Sequence, residues 1–270
     1  MAVPYAEVIG DPIAHSKSPL IHNFWLGKLG IDGVYRAAQV NPDGLDDFFS
    51  ARRVDPDWAG CNVTMPHKAA VLALVDRTDT EVNAIGSANT VTAADGVLTA
   101  HNTDIDGLIA ALGEEGLAKR PVAIVGNGGA ARTALAVLRE QGLHEVMIVS
   151  RDHAKSEALA ARFGVELLGG EQREEPQLLI NATPLGMSGF DAMPEPMLGL
   201  VDRMQPEGVV FDMVYSPVET QLLLRARARG LRAIGGLDML IGQADAAFRL
   251  FFGQAAPREH DEELRGLLTS

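Results

Sequence analysis

The sequence predicts an α/β protein of two domains. Apolar runs of strand length recur along the chain, and amphipathic segments with helical spacing separate them. The run at residues 121–125 leads directly into a glycine-rich loop, Gly126-Asn127-Gly128-Gly129-Ala130-Ala131, in the order strand, loop, helix. A chain of 270 residues, 47% of them hydrophobic, can bury one large core or two modest ones, and the repeated alternation favours two.

Composition narrows the class of protein. Cys61 is the single cysteine, which excludes an intramolecular disulfide, and no charged segment at the N-terminus leads into a long apolar run. No segment of the sequence is long and apolar enough to span a bilayer, so we expect a cytoplasmic protein without a membrane partner. The formal net charge of -13 argues against nucleic-acid binding, which needs clustered Lys and Arg. A phosphorylated cofactor would need a local cationic patch.

The first region is predicted to be βαβ-like, with polar residues where its strands end. Its expected elements are a strand at residues 6–9, a strand at 34–38, a helix near 43–53, a strand at 60–64 and a weak hairpin at 94–96. Ser18 suits the N-cap of a helix after the first strand. Pro66 ends the third strand and places Thr64 and Lys68 at or just past its end. Open α/β sheets bind their ligands at such strand ends.

The second region carries a dinucleotide-binding pattern. Gly126, Gly128 and Ala131 match the G-x-G-x-x-G/A fingerprint, with a helix expected from residue 130 to about 141 and a strand at 146–149. The glycines allow a tight turn and close approach of the backbone to a pyrophosphate at the helix start. An ordinary glycine-rich turn without a ligand is the alternative.

The end of the second strand of this region indicates which cofactor binds. NAD enzymes place an Asp or Glu there for the ribose 2′-hydroxyl, whereas this chain has Ser150 and Arg151, with Lys155 nearby. A guanidinium can pair bidentately with a 2′-phosphate, so the sequence favours NADP(H). Asp152 could instead turn toward the ribose, and a solvated helix start is the plainer reading of Arg151 and Lys155.

Further strands are expected at residues 178–181, 209–213 and 231–234. A helix at residues 237–252 shows a wide apolar face with Gln243 on its flank, and the charged tail after Pro257 predicts a short solvated helix. His15, His22 and His67 lack the spacing of a metal site, so we expect no metal.

Three polar clusters interrupt the first region: residues 62–68 (NVTMPHK), 89–90 (NT) and 102–104 (NTD). Hydride addition to a ketone creates an alkoxide that must be protonated, and Lys68 is a candidate proton carrier. Asp104 can hold the substrate hydroxyl or the ammonium in register. Whether Lys68 shuttles a proton or acts as a fixed cation stays open. A plain surface ion pair is disfavoured by the Asn and Thr residues around it.

Seven motifs stand in a characteristic order along the chain: residues 10–19 (GDPIAHSKSP), 62–68 (NVTMPHK), 86–90 (GSANT), 102–104 (NTD), 126–132 (GNGGAAR), 181–187 (NATPLGM) and 235–243 (GGLDMLIGQ). In this order, and across nearly the whole chain, they resemble the shikimate dehydrogenases. The resemblance implies a substrate-binding catalytic domain at residues 1–104, a Rossmann-type domain at 105–237, and C-terminal helices at 238–270 that return to the first domain. It also implies reversible reduction of 3-dehydroshikimate to shikimate with NADPH in aromatic amino-acid biosynthesis.

The resemblance assigns roles position by position. Lys68 and Asp104 fall on the catalytic pair. The positions implied to bind substrate are Ser16, Ser18, Thr64, Asn89, Tyr215 and Gln243. The positions expected to bind the cofactor are Gly126, Gly128, Gly129, Ala130, Arg132, Ser150, Arg151, Lys155, Thr183, Met213 and Gly236.

This chain departs from the family pattern at a few positions. Asn127 replaces the usual alanine, which a solvent-facing side chain would tolerate, and Ser150 and Asp152 stand where Asn and Thr are common. The alternatives are a quinate/shikimate or aminoshikimate dehydrogenase of the same architecture, or a non-catalytic NADP-binding sensor, against which Lys68 and Asp104 speak. The expected partner is shikimate or 3-dehydroshikimate, without nucleic acid, and the chain is expected to be a monomer or a homodimer.

Overall fold

The computed structural model describes residues 3–168 and 175–269. The chain divides into two compact units, one formed by residues up to 104 together with residues from 243 onward, the other by residues 105–242. One helix, Gly236–Phe252, runs through the second boundary, and the domain bounds expected from the sequence stay a prediction. No helix in the described part of the chain combines the length and apolarity that a membrane crossing needs.

The first unit is built on a six-stranded mixed sheet. Its strands are β1 (Tyr5–Gly10), β2 (Val34–Gln39), β3 (Trp58–Val63), β4 (Arg77–Thr78), β5 (Thr90–Ala94) and β6 (Val97–His101). Its helices are α1 (Ser18–Leu29), α2 (Leu45–Arg53) and α3 (Thr80–Ile85). The strand order is β2-β1-β3-β5-β6-β4. The central strand β1 runs parallel to β2 and β3, whereas β5 is antiparallel to both β3 and β6.

Strand register brings the polar clusters to one edge of this sheet. Asn62 near the end of β3 pairs with Thr90 at the start of β5, and Thr90 pairs with His101 at the end of β6. The segments before β5, after β3 and after β6 therefore emerge side by side. The three clusters of the sequence occupy these segments.

The second unit is a Rossmann-type fold on a parallel sheet. Its strands are β7 (Val122–Val125), β8 (Glu145–Val149), β9 (Glu166–Leu167), β10 (Leu178–Asn181), β11 (Val209–Asp212) and β12 (Arg232–Gly235). Its helices are α4 (Asp104–Ala118), which breaks at Gly113, α5 (Gly129–Glu140), α6 (His153–Phe163), α7 (Glu195–Asp202), α8 (Gln221–Ala228) and the first part of α9 (Gly236–Phe252). The strand order β12-β11-β10-β7-β8-β9 is parallel throughout. The α/β class and the Rossmann-type unit predicted from the sequence are confirmed.

Both faces of this parallel sheet are covered, as its uninterrupted apolar strands require. Ile124 of β7 packs in one cluster with Leu135 of α5 and Leu159 of α6. Its neighbour Val125 points the other way and packs with Leu198 of α7 and Leu222 of α8. Strand residues alternate between the two clusters because successive side chains point to opposite faces.

Two local expectations are wrong. Ser18 is the first helical residue of α1 rather than its N-cap; Lys17 holds the cap position without a side-chain cap bond. The charged tail forms α10 (Asp261–Thr269), but that helix is not simply solvated, because Leu264 and Leu268 are buried. Apolar residues four positions apart lie on one face of a helix, and this face is buried although the segment is highly charged.

Candidate active site

Lys68 and Asp104 form an ion pair in the first unit, with Lys68 Nζ 2.6 Å from Asp104 Oδ2. Lys68 follows β3, and Asp104 follows β6 as the first residue of α4. Their side chains are 32% and 16% exposed, so the pair is open to a ligand and to water. The Lys68 carbonyl accepts a hydrogen bond from the backbone N–H of Ala88 at 2.8 Å, which ties the lysine to the segment before Asn89.

Asn89 donates to the second oxygen of the same carboxylate, with Nδ2 2.9 Å from Asp104 Oδ1. Its amide orientation is determined, because the backbone N–H of Thr103 donates to Oδ1 at 2.7 Å and only the oxygen can accept it. Asp104 therefore receives a charged donor on one oxygen and an amide donor on the other. Asn89 and Thr103 are buried and rigidly bonded, so the carboxylate has a fixed place.

A second layer of buried polar groups supports Asn89. Asn62 donates from Nδ2 to the Asn89 carbonyl at 3.3 Å and to Thr90 Oγ1 at 2.9 Å. Thr90 Oγ1 lies 3.0 Å from Asn89 Oδ1. The hydroxyl of Tyr35 completes the layer by donating to Asn62 Oδ1 at 2.6 Å. The sequence did not single out Tyr35, Asn62, Thr90 and Thr103 as site residues, although three of them lie inside its polar clusters.

Three of the predicted substrate residues follow β1 and β3 in the same unit. Ser16 is half-buried, and its Oγ accepts from the backbone N–H of Ser18 at 3.3 Å. Ser18 itself is buried at the start of α1. Thr64 is held at the end of β3 by its backbone N–H, which donates to the Ile9 carbonyl at 2.9 Å. Because β1 and β3 are parallel neighbours, these side chains leave the sheet at one edge.

Gln243, the fifth predicted substrate residue of this unit, is 9% exposed. Its Oε1 lies 3.5 Å from Nδ2 of Asn89, and this contact joins α9 to the Lys68–Asp104 pair. The structure thus brings Lys68, Asn89, Asp104 and Gln243 together. Helical periodicity alone would predict an exposed Gln243, and that prediction is wrong.

His67 anchors the loop that carries Lys68. It is buried, and its Nε2 lies 2.6 Å from the carbonyl of Val40, an acceptor, so this nitrogen carries the hydrogen. No cluster of three or more His, Cys, Asp and Glu side chains that could hold a metal occurs among residues 3–168 and 175–269. The absence of a metal in the functional protein stays a prediction.

The glycine loop lies in the second unit, between β7 and α5. Gly126 has φ of 107°, and a Cβ there would lie 2.7 Å from Thr183 Cγ2, so only glycine fits. Around Gly128 a Cβ would meet nothing within 4 Å among the described residues, which leaves the space next to the backbone open. Burial lowers the pKa of Arg132 in the first turn of α5, and the positive charge of Arg162 acts in the same direction. An anion bound there would relieve both effects.

Asn127, expected to face solvent, is partly exposed and also hydrogen-bonded to the protein. Its Nδ2, which carries two hydrogens, lies within hydrogen-bond distance of three acceptors: Ser150 Oγ at 3.0 Å, the Asp152 carbonyl at 3.0 Å and Ser156 Oγ at 3.2 Å. The side chain therefore connects the glycine loop to the turn after β8. Ser150 in turn donates to the Asp152 carbonyl at 3.0 Å, which places its hydroxyl inside this turn network.

The charged residues after β8 differ in what they contact. Asp152 caps α6, with Oδ1 accepting from the backbone N–H of Lys155 at 3.0 Å. The Arg151 and Lys155 side chains are exposed, and neither forms an ion pair with another residue in the described part of the chain. Among the described residues, the two cationic side chains at this strand end thus have no carboxylate partner, while the Asp152 carboxylate caps α6.

The remaining predicted residues also follow strands of the second unit. Thr183 follows β10, and its Oγ1 donates to Asn181 Oδ1 at 2.6 Å. Gly236 begins α9, where a Cβ would collide with the carbonyl oxygen of Met213. Tyr215 belongs to the loop after β11, and burial raises the pKa of its phenol. Parallel register places the ends of β7, β8, β10, β11 and β12 at one edge, so all predicted cofactor residues gather there.

The fold and these two clusters define the class of a dinucleotide-dependent dehydrogenase that acts on a small polar substrate. Comparison with known proteins identifies the family. Residues 8–91 match the shikimate dehydrogenase substrate binding domain, residues 109–181 the shikimate / quinate 5-dehydrogenase family, and residues 236–264 the shikimate 5'-dehydrogenase C-terminal domain.

Individual relatives agree with the family models. Shikimate dehydrogenase (NADP(+)) of Sphingopyxis alaskensis is 48% identical over 274 residues, which cover 100% of this chain and 98% of the relative. The crystal structure of shikimate 5-dehydrogenase from Thermus thermophilus in complex with NADP(H) and shikimate has a TM-score of 0.87 and 36% identity, covering 98% of this chain and 99% of that one. The ligand-free 5-ketofructose reductase of Gluconobacter has a TM-score of 0.86 and 28% identity, covering 99% of each chain. The chain belongs to the shikimate dehydrogenase family.

Proposed function

We propose that this protein catalyses the reversible NADP(H)-dependent reduction of 3-dehydroshikimate to shikimate in aromatic amino-acid biosynthesis. The observation that carries the proposal is the Lys68–Asp104 pair with Asn89 on the second carboxylate oxygen, in a member of this family. A non-catalytic sensor would not need a solvent-accessible ammonium fixed within a buried polar network. Shikimate and 3-dehydroshikimate are the proposed substrates.

The oxidation of shikimate requires two transfers. When bound, NADP supplies the hydride acceptor. The chain must also remove the hydroxyl proton, and Lys68 is the group proposed to accept it in its neutral amine form, because its partly exposed side chain lets it pass that proton on to water. Asp104 orients the ammonium and accepts from the substrate hydroxyl, and Asn89 keeps the carboxylate in place.

The other polar residues of the first unit suit the rest of the substrate. Ser16 and Ser18 are proposed to bind its carboxylate, since the backbone bond to Ser16 Oγ leaves the hydroxyl hydrogen of Ser16 free to donate. Thr64, Asn89 and Gln243 are proposed partners of the ring hydroxyls, and Tyr215 is proposed to contact the substrate from the loop after β11.

The second unit fits NADP(H). Gly126, Gly128, Gly129 and Ala130 would bring backbone N–H groups to the pyrophosphate at the start of α5. Arg132, Arg151 and Lys155 would meet phosphate groups, and the engagement of Asp152 as a cap supports a 2′-phosphate at this strand end. Ser150, Thr183, Met213 and Gly236 complete the proposed cofactor site. A cytoplasmic location and a monomer or homodimer remain our predictions.

A spectrophotometric assay tests the function directly. The purified protein is mixed with shikimate and NADP⁺, and formation of the reduced cofactor is followed, with NAD⁺ and with quinate in parallel reactions. We expect shikimate-dependent reduction of NADP⁺, with a lower rate for NAD⁺ at equal concentration. Cofactor reduction that does not depend on shikimate, or none at all from folded protein, would contradict the proposal.

A further inference from the structure

Tyr35 is buried in the first unit, yet its hydroxyl belongs to the polar network rather than to the apolar core around its ring. The residue is 1% exposed, and its hydroxyl donates to Asn62 Oδ1 at 2.6 Å. Burial raises the pKa of this phenol well above its usual value, so it remains a donor at every working pH. Tyr35 is not among the predicted substrate or cofactor residues, although its hydroxyl also forms a hydrogen bond with the side chain of Ser18, which is.

The donor and acceptor roles between Tyr35 and Asp104 form one directed series. Asn62 must turn its nitrogen toward the Asn89 carbonyl, which only accepts, so its oxygen faces Tyr35. The second hydrogen on Asn62 goes to Thr90 Oγ1, so the Thr90 hydroxyl is free to donate. Its acceptor is Asn89 Oδ1 at 3.0 Å or Thr103 Oγ1 at 3.2 Å, and the Thr103 hydroxyl lies 3.2 Å from the same Asn89 oxygen. Asn89 then presents its nitrogen to Asp104.

Tyr35 is itself fixed on several sides. His22 of α1 stacks on its ring, with centroids 4.0 Å apart and planes at 4°. The Asn23 side chain binds the backbone of Tyr35 twice, accepting from its N–H at 3.0 Å and donating to its carbonyl at 2.7 Å. The Tyr35 side chain, where the directed series begins, is therefore held more rigidly than the side chain of a surface tyrosine would be.

We propose that Tyr35 is a positioning residue for the catalytic pair, acting through Asn62 and Thr90 on the position of the Asn89 side chain and so on Asp104. The inference rests on the proposed dehydrogenase activity. Without the phenolic hydroxyl, buried Asn62 Oδ1 loses its donor, and its amide gains freedom to turn. The consequence should appear in the chemical step, because a small displacement of a catalytic group weakens it strongly.

The test is Tyr35→Phe, which removes one oxygen and keeps the ring stacked on His22. We expect kcat for shikimate oxidation to fall about tenfold, with the KM for NADP⁺ unchanged. Thr90→Val, which interrupts the series at its next link, should lower kcat similarly. The double variant should lose about tenfold rather than about a hundredfold, because both changes act on one series.

Tyr5→Phe is the matched control. The Tyr5 hydroxyl also donates a hydrogen bond of 2.6 Å, but its acceptor is Asp55 Oδ2, outside this network. The kcat of Tyr5→Phe should therefore equal that of the wild type. Thermal unfolding of every variant separates loss of stability from loss of turnover.

The inference is overturned if kcat of Tyr35→Phe stays within about twofold of the wild type, if the losses of the two single variants multiply in the double variant, or if Tyr5→Phe loses as much kcat as Tyr35→Phe. If Tyr35→Phe does not fold, Thr90→Val takes its place: a kcat within about twofold of the wild type would then overturn the inference. Failure of the wild type to oxidise shikimate would instead reject the proposed function.

Discussion

Asn89 and Asp104 are joined by a hydrogen bond of 2.9 Å from the amide nitrogen to carboxylate Oδ1, while Oδ2 of the same carboxylate receives Lys68. Oδ1 of Asp104 thus faces an amide whose orientation is fixed by the backbone of Thr103, and Oδ2 faces the ammonium of Lys68. A carboxylate at this place is matched to its surroundings, whereas an amide would not be.

Asp104→Asn tests that match. The amide nitrogen of the variant must face either Lys68 Nζ or Asn89 Nδ2, so one donor meets another donor, and the ammonium loses its counter-charge. We expect kcat to fall by about two to four orders of magnitude with a smaller change in KM, as for loss of a group that orients the proton carrier. Steady-state kinetics measure this, and circular dichroism checks the fold. Unchanged turnover would remove Asp104 from the mechanism.

Lys68 variants distinguish a proton shuttle from a fixed cation. Lys68→Ala removes both properties, and we expect turnover to fall by about two to four orders of magnitude. Lys68→Arg keeps a positive charge that does not lose its proton at accessible pH. If Lys68 transfers the proton, the arginine variant should be nearly as inactive as the alanine variant. Substantial activity in Lys68→Arg would show that the charge alone suffices.

Arg151→Ala tests cofactor choice. The exposed guanidinium is available for a 2′-phosphate, so its loss should weaken NADPH binding by about 1.5–3 kcal/mol and leave NADH nearly unaffected. Arg139→Ala, an exposed arginine in the last turn of α5, controls for the change in net charge. Fluorescence titration with both cofactors gives the affinities. Equal weakening of NADPH and NADH would contradict a 2′-phosphate contact.

His22 predicts an acid limit of stability. Burial lowers its pKa from 6.5 to about 3, and neither ring nitrogen has a hydrogen-bond partner in the described part of the chain. Between those values the unfolded chain binds a proton that the folded chain does not, so stability falls as pH decreases below 6.5. We expect His22 to contribute a loss of about 3 kcal/mol between about pH 7 and pH 4.

His22→Phe is the variant for this measurement, since a phenyl ring can stack on Tyr35 and remains neutral at every pH. Urea unfolding at a series of pH values should show a flatter acid limb for the variant than for the wild type. Parallel curves for the two proteins would mean that other groups set the acid limit.

The sequence predicted the strand-end positions of Lys68 and Asp104 because Pro66 and the polar clusters mark where apolar strands stop. It did not predict the hydrogen bond from Tyr35 to Asn62, because that contact depends on how β1, β2 and β3 pair, which only the folded sheet establishes. The N-cap of α1 was misplaced by one residue for a local reason: Ser18 has the residue type of a cap, but the chain already adopts helical dihedral angles at Lys17. The hydrogen bonds of Asn127 were not predicted because its partners lie more than twenty residues away, after β8.

Substrate choice is the last prediction. Shikimate presents a carboxylate on a flat part of its ring, whereas quinate adds a hydroxyl at the carbon that bears the carboxylate. Ser18 is buried and Ser16 is half-buried beside it, so an extra hydroxyl there would compete for the groups that we propose to bind the carboxylate. A polar site discriminates strongly when a misfit leaves buried groups unpaired. We expect shikimate to be strongly preferred, and Ser16→Ala and Ser18→Ala each to weaken shikimate binding by about 1–3 kcal/mol.

The values of kcat/KM for shikimate and quinate, measured side by side for the wild type and both serine variants, test this preference. Comparable wild-type values for the two acids would place the protein in the quinate/shikimate group, and serine variants with unchanged KM would move the carboxylate away from α1.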